Sequence, residues 1–181
     1  MADTQHTLTQ LKALLADNVN GDISPQDIRD FLVTVMGCYG CIYTNSGSGT
    51  QSVSSAAAVV LDQFDSDGPN DGSSGVESDA ANNKIILHIA GTYRIAFDIT
   101  YESDAPSGVT YTVGALLDAG AISGLVTKSE HHDDLTTYIV HCEMLVVVTE
   151  DQEITVQVAS DNVNSYTFDV KYASLIAKML A

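Results

Sequence analysis

Three groups of residues have the side-chain types that catalysis or metal binding requires. Cys38 and Cys41 have the CxxC spacing of half a zinc site or of a redox pair. His131 to Asp134 places two imidazoles beside two carboxylates. Residues 65–72, DSDGPNDG, place acids around a Gly-containing turn, as calcium loops do. Each group has to be weighed against an ordinary structural role.

The sequence favours ordinary, partly buried thiols at the cysteines. A structural zinc site needs four ligands, and Cys142 with His141 would complete one only if folding brought them beside the CxxC pair. A redox CxxC opens a helix in a βαβ unit, and the sequence has no such pattern. Three cysteines are also an odd number, unlike a disulfide-stapled secreted domain. We therefore expect no metal and no cofactor, and synthesis in a reducing cytoplasm.

The histidines and the acidic turn are also expected to lie in solvated loops. Neighbouring side chains on a turn point in different directions, so residues 131–134 rarely converge on one ion. In the acidic segment, Pro69 stands at the third odd position, and Val76 stands where a calcium loop has its glutamate. The sequence predicts a long acidic loop from Asp65 to Asn83 and leaves open whether residues 65–79 bind calcium.

The sequence contains no nucleophile elbow and no phosphate-binding glycine loop. His88 and His141 lie within strand patterns, where a histidine is more often structural than catalytic. We therefore expect that the protein is not an enzyme.

The charge balance excludes two classes of partner. The chain has 24 acidic and 7 basic residues, and its formal net charge is −17. Such a surface repels phosphates and anionic lipid headgroups, so neither nucleic-acid nor membrane binding is expected. The polar opening MADTQHT and the lack of an apolar run of ~18 residues predict neither a signal peptide nor a membrane segment.

The elements that would position these residues differ between the two ends of the chain. Leucines at helical spacing predict a first short helix near residues 8–15. Ser24, Pro25 and Asp27 then occupy the cap, first-turn and capping-box positions of a second helix. That helix has an apolar stripe, which must be buried against another surface. The stripe consists of Ile28, Phe31, Leu32 and Val35.

The pattern after the Gly/Ser segment TNSGSGTQS is that of a mainly β protein. We predict a helical N-terminal anchor over residues 1–44, a linker over 45–56 and a head over 57–181. About eight strands are expected in the head, as in a jelly-roll β-sandwich. They are Ala57 to Phe64, Lys84 to Ile89, Thr92 to Thr100, Val109 to Leu117, Ala121 to Val126, Thr136 to Thr149, Glu153 to Ala159 and Ser165 to about Leu175.

Two of these strands are apolar on both faces. In YIVHCEMLVVV, the face with Val146 alternates with a second apolar face made by Ile139, Leu145 and Val147, and YASLIAKML is apolar almost throughout. A sandwich strand needs only one buried face, so the second face predicts burial against another copy of the chain. Six residues are assigned to the core or to the subunit interface: Tyr93, Phe97, Tyr138, Val146, Phe168 and Tyr172.

The head segments resemble a known family. VVLDQFDSDG, AGTYRIAFDITYE, MLVVVTEDQEITVQVA and YTFDVKYASLIA are similar, in this order, to the strands of trimeric tumour-necrosis-factor-like and complement-type globular heads. The match covers about residues 57–178, and its most specific parts are the strand with Gly91, Tyr93 and Phe97, the acidic turn and strand from Asp151 to Val156, and the closing Phe168 strand. The family spacing after Gly91 is Tyr-x-Phe, and Ile95 departs from it. The resemblance implies a homotrimer.

The N-terminal segment resembles a second group of proteins. NVNGDISPQDIRDFLVTV is similar to a short segment, G-x-I-S-x-Q-D-I-R-D-F, near the start of phage head-decoration, head-fibre and tail-fibre proteins. The matching residues are Gly21, Ile23, Ser24, Gln26, Asp27, Arg29, Asp30 and Phe31.

Together the two resemblances imply a structural virion protein of a tailed phage, made in the host cytoplasm and located on the capsid surface. It would be a capsid decoration, cement or head-fibre protein whose partner is the major capsid protein. The capsid-anchoring residues would be Ile23, Ile28, Arg29, Phe31, Leu32 and Val35. The alternative is a tail-fibre or receptor-binding module that recognises a host glycan or protein.

Overall fold

Apolar and polar residues alternate with a period of two through most of the C-terminal four-fifths of the chain, and many of them are β-branched or aromatic. Such segments form strands with one buried face. The computed structural model describes residues 38–180 except 46–48, 56, 71–74, 119 and 133–136, and describes only the backbone of 121–124. Twelve strands lie within these residues. They are β1 Tyr39–Tyr43, β2 Gly49–Val53, β3 Val59–Val60, β4 Ser66–Asn70, β5 Val76–Asp79, β6 Lys84–Leu87, β7 Gly91–Ser103, β8 Thr110–Leu117, β9 Gly120–Glu130, β10 Tyr138–Val148, β11 Gln152–Ser160 and β12 Tyr166–Leu180.

The strands form two antiparallel sheets. Sheet A has the order β10-β7-β12-β1-β4, with β2 pairing to a further part of β12. Sheet B has the order β5-β6-β11-β8-β9, with β3 pairing to β11. The two sheets stack face to face, and their inward side chains form one core. The mainly β sandwich expected from the sequence is confirmed.

Strand β7 shows how the alternation places side chains. Tyr93, Ile95, Phe97 and Ile99 are fully buried between the sheets. The intervening residues point outward and meet the outward residues of β10 on one side and β12 on the other. Strand β7 makes the longest pairings in sheet A, with β10 on one side and β12 on the other, and these three strands position the surface described below.

The expected number of about eight strands was wrong. The segment Asp65 to Asn83, predicted as one acidic loop, contains β4, β5 and a 3₁₀ turn at Ala80–Asn82. Strand β4 has the sequence SDGPN, which has no apolar alternation, and its strand geometry comes from backbone pairing with β1. Conversely, only Val59–Val60 of the strand predicted over Ala57 to Phe64 is a strand.

The sandwich begins upstream of residue 57. Strand β1 pairs with both β12 and β4, although its residues were assigned to the anchor. Strand β2 lies in the predicted Gly/Ser linker and pairs with β12. Gly40 allows β1 to approach the other sheet, because a Cβ at this position would lie 2.7 Å from Val76 Cγ1.

The two helices predicted for the anchor, near residues 8–15 and after Ser24, lie outside the described residues, and the described end of the anchor range is strand β1. The six anchoring residues also lie outside the described residues: Ile23, Ile28, Arg29, Phe31, Leu32 and Val35. In the part of the chain that the structure describes, no helix has the length and apolar character needed to cross a membrane.

Candidate functional site on the outer face of sheet A

The outward side chains of β1, β7, β10 and β12 form one continuous surface, here called the sheet A face. Cross-strand pairing arranges it in rows. At one end, Val147 and Leu180 flank Thr92, and at the other end Ile139 and Tyr172 flank Thr100. The three rows between them are Leu145, Arg94, Lys178 and Tyr39; Glu143, Ala96, Ile176 and Cys41; and His141, Asp98, Ser174 and Tyr43.

The sheet A face is more apolar than an ordinary solvated surface. Seven of the eleven large hydrophobic side chains that are exposed in the described residues lie on it. Val147 is 79% exposed and Ile139 is 75% exposed, at the two ends of β10. The other five are Tyr39, Leu145, Tyr172, Ile176 and Leu180. A contiguous apolar surface of this kind indicates a protein interaction site.

The sheet A face also differs in charge from the rest of the head. It carries three of the five basic residues in the described part of the chain, Arg94, Lys171 and Lys178. It carries only four of the sixteen acidic residues there, Asp98, Glu102, Glu143 and Asp169. The face is therefore close to neutral, while the remaining surface is strongly acidic.

Two ion pairs lie side by side in the middle of the sheet A face. Arg94 Nη2 donates to Glu143 Oε2 at 2.5 Å, and this hydrogen bond lowers the pKa of the Glu143 carboxyl. His141 Nδ1 lies 2.7 Å from Asp98 Oδ1. Both pairs join β7 to β10, and all four side chains are partly exposed.

The structure separates the residues assigned to the core or interface. Tyr93, Phe97 and Phe168 are fully buried, Tyr138 is 5% exposed, and all four lie between the sheets. Val146 is half-buried and packs against the core. Tyr172 points outward on the sheet A face.

Part of the sheet A face is not evident from the sequence. Tyr39 was assigned to the anchor side of the domain boundary, and nothing in the sequence pairs Arg94 with Glu143 or His141 with Asp98. The apolar character of YASLIAKML on both faces was the available signal for Ile176 and Leu180. Cross-strand pairs depend on register between distant strands, which one sequence does not reveal.

An aromatic cluster fills one end of the core behind the sheet A face. Tyr101 stacks on Phe168 with ring centroids 4.1 Å apart and on Tyr138 at 5.3 Å. Tyr111 meets Tyr101 edge to face at 5.6 Å, and its hydroxyl lies 2.6 Å from Ser103 Oγ. Burial raises the pKa of Tyr101 to about 12. Burial also raises the pKa of Tyr111, so Tyr101 and Tyr111 stay protonated and serve a structural role in the packed cluster.

The CxxC cysteines point to opposite sides of β1. Cys38 is 1% exposed in the core, whereas Cys41 is on the outer face, where its Sγ covers Gly68. Residues three apart in a strand lie on opposite faces, so this pair cannot chelate one ion from the strand. Burial raises the pKa of the Cys41 thiol, which makes it less reactive.

The other two groups lie partly outside the described residues. His131 is buried beside Tyr138, with Nε2 3.3 Å from the carbonyl oxygen of Ser103, and His132 is exposed. Asp133 and Asp134 and residues 71–74 are not described. Among the described residues, no three His, Cys, Asp or Glu side chains are placed to hold a metal ion.

His88 connects three elements at one end of sheet B. Its Nδ1 lies 2.8 Å from Asp151 Oδ1 in the turn before β11, and its Nε2 lies 3.0 Å from Glu77 Oε2 on β5. Burial lowers the pKa of the imidazole, but hydrogen bonds and charge from the two carboxylates outweigh burial. The pKa of His88 is therefore raised above its ordinary value of 6.5.

We expect His88→Gln to reduce the pH dependence of stability. The folded-state pKa of His88 lies above the unfolded value of 6.5. Protonated His88 therefore stabilises the fold fully below pH 6.5, and this stabilisation is lost as the pH rises through the folded-state pKa. Urea unfolding between about pH 6 and about pH 9 should show a larger loss of unfolding free energy in the wild type than in the variant. His132→Gln, at an exposed histidine, is the control. Equal losses in wild type and His88→Gln would contradict the assignment.

Comparisons with known proteins agree with this architecture. No protein-family model and no curated protein matches the sequence. The structure is similar to that of Eiger TNF from S. frugiperda, with a TM-score of 0.54, 11% identity, and coverage of 80% of this chain and 94% of that one. It is also similar to the globular domain of zebrafish complement 1qA protein, with a TM-score of 0.54, 8% identity, and coverage of 80% and 96%. At these identities the similarity shows the fold alone. The described part of the chain therefore has the jelly-roll fold of the tumour necrosis factor and complement globular heads.

Proposed function

We propose that the protein is a homotrimeric structural protein of a tailed-phage virion, which binds the major capsid protein as a capsid decoration, cement or head-fibre protein. The observation that carries the proposal is the sheet A face, through which the three heads associate. The N-terminal segment supplies the attachment to the capsid surface.

Self-association through the sheet A face is supported by the distribution of charge. Two copies of a strongly acidic chain repel each other over most of their surfaces. The sheet A face is the near-neutral part of the described surface, and its apolar residues at both ends of β10 are the most exposed part of it. Contact between copies at this face buries apolar area, contributing about 25 cal/mol per Å², and separates the acidic surfaces.

The position of β10 supports a closed ring of copies. It is an edge strand of sheet A, and it pairs only with β7 among the described strands. Its apolar residues are exposed on both faces, with Met144 37% exposed on the inward side. An exposed apolar edge strand is an aggregation hazard unless another chain covers it. The resemblance of residues 57–178 to trimeric heads supports three copies.

The strand order places the three attachment segments together. Cys38 accepts a hydrogen bond from the amide of Met179, so the chain enters the head beside the end of β12. In a trimer with its threefold axis along the sheet A faces, residues 1–37 of all three chains leave from the same end. Three linked anchors bind a capsid more strongly than one, because each bound anchor raises the effective concentration of the others.

The alternative, a tail-fibre or receptor-binding module, uses the same trimer with a different partner. One experiment separates the two functions. The purified full chain is mixed with undecorated capsids and, separately, with host cells, and bound protein is measured by co-sedimentation. Binding to capsids together with a higher capsid melting temperature supports decoration, whereas binding to cells alone supports the receptor-binding function. Binding to neither would overturn both.

We expect Phe31→Asp to abolish capsid attachment and to leave the trimeric head intact. Phe31 belongs to the predicted apolar stripe of the anchor, and a charge buried there without a partner is strongly unfavourable. Co-sedimentation with capsids measures attachment, and light scattering measures the oligomer. Phe31→Leu is the matched control, because it keeps an apolar side chain and should still bind. Undiminished binding by Phe31→Asp would refute the anchoring role.

A further inference from the structure

We infer that assembly through the sheet A face takes up protons, and that His141 is the residue that binds them. The inference rests on the self-association proposed above and adds its regulation. Association should strengthen as the pH falls through the range in which an imidazole changes charge.

The geometry behind the inference is the four-residue charge cluster of the sheet A face. Asp98 on β7 lies opposite His141 on β10 and is paired with it, whereas Arg94 on β7 reaches diagonally to Glu143 on β10. With a neutral imidazole the cluster has a net charge of minus one. With a protonated imidazole it is neutral.

Neighbouring elements add no charge that could balance Asp98. The same and adjacent rows contribute Ser174 and Tyr172 on β12, and Cys41 and Tyr43 on β1. None of these four side chains is a carboxylate, an ammonium or a guanidinium. The described residues of the face carry two further cations: Lys178 lies in the row of Arg94, two rows away from His141, and Lys171 is paired with Glu102 and Asp169.

Covering the face changes the energy of this cluster. In the single chain His141 is 55% exposed and Asp98 is 43% exposed, so water screens the unbalanced carboxylate. A second copy of the chain removes that water. An unbalanced charge in a low-dielectric interface is unfavourable, whereas a neutral, hydrogen-bonded cluster is tolerated. Protonation of His141 therefore favours the assembled state.

The number of protons taken up on assembly sets how strongly the association constant depends on pH. Each chain takes up at most one proton at this site, so a trimer takes up at most three, and the association constant changes by up to about a thousandfold per pH unit. Partial uptake lowers this limit. We expect an increase of at least about tenfold in the trimer association constant between pH 8 and pH 6.

Sedimentation equilibrium of the full chain at both pH values, at constant ionic strength, tests the inference. His141→Gln should remove most of the pH dependence. His132→Gln, at an exposed histidine outside the face, should keep it. Asp98→Asn should flatten or reverse it, because protonation then gives the cluster a positive charge instead of neutralising it.

The outcomes separate this inference from the proposed function. A trimer of equal strength at pH 6 and pH 8, or a His141→Gln variant with the full wild-type pH dependence, would overturn the role of His141 and leave the trimer standing. A single-chain species at both pH values and at all concentrations would overturn the self-association itself, and the inference with it.

Discussion

Val147→Asp is expected to dissociate the proposed trimer into single, folded chains. Val147 is 79% exposed in the single chain, at one end of β10, so its replacement leaves the core untouched. In the proposed trimer this position would be covered, and an aspartate there would be buried without a cation in its row, which contains Thr92 and Leu180. Burying an unpaired charge costs several kcal/mol, so the association constant should fall on the order of a hundredfold or more.

Val163→Asp is a matched control for this prediction. Val163 is 81% exposed, nearly the same as Val147, but it lies in the loop between β11 and β12, outside the sheet A face. The same substitution should leave the oligomer unchanged. Light scattering distinguishes a mass near three times 19.2 kDa from 19.2 kDa. Equal effects of the two variants, or a trimeric Val147→Asp, would exclude the sheet A face as the interface.

Phe168→Ala is expected to lower the unfolding free energy of the head by about 3–5 kcal/mol, the usual loss when a buried phenylalanine is removed from a core. Phe168 is fully buried, and its ring contacts Tyr101 at 4.1 Å and Tyr111 at 5.3 Å between centroids. The substitution leaves a cavity between the two sheets and removes both ring contacts. A loss of this size is a large fraction of the stability of a typical domain.

The measurement is best made in the Val147→Asp background, because association would otherwise contribute to the apparent stability. Urea unfolding of the single-chain species gives the loss directly. Tyr172→Ala is the control in the same strand, since its ring is 46% exposed and points away from the core. It should cost well under half as much as Phe168→Ala. Similar losses would mean that the aromatic cluster does not dominate the core.

Local sequence patterns identified the strands whose own alternation is strong. In β7, the fully buried Tyr93, Ile95, Phe97 and Ile99 follow a strict period of two. Strand β4 shows the opposite case, because SDGPN has no pattern of its own and becomes a strand through pairing with β1. Strand β2 was likewise hidden, since a short strand in a Gly/Ser-rich region depends on its partner β12. Pairing between distant segments is a tertiary property.

The candidate site likewise has features that the sequence predicts and features that only the structure shows. The sequence by itself determined that more apolar strand surface exists than one sandwich buries, because period-two patterns on both faces of YIVHCEMLVVV are visible without a structure. It also determined the acidic surface, which follows from composition alone. Only the tertiary structure decided that β10, β7, β12 and β1 share one face, and that His141 meets Asp98 while Arg94 meets Glu143. The physical reason is register: a shift of one residue between two strands turns every outward side chain inward, and register is set by packing of the whole sandwich.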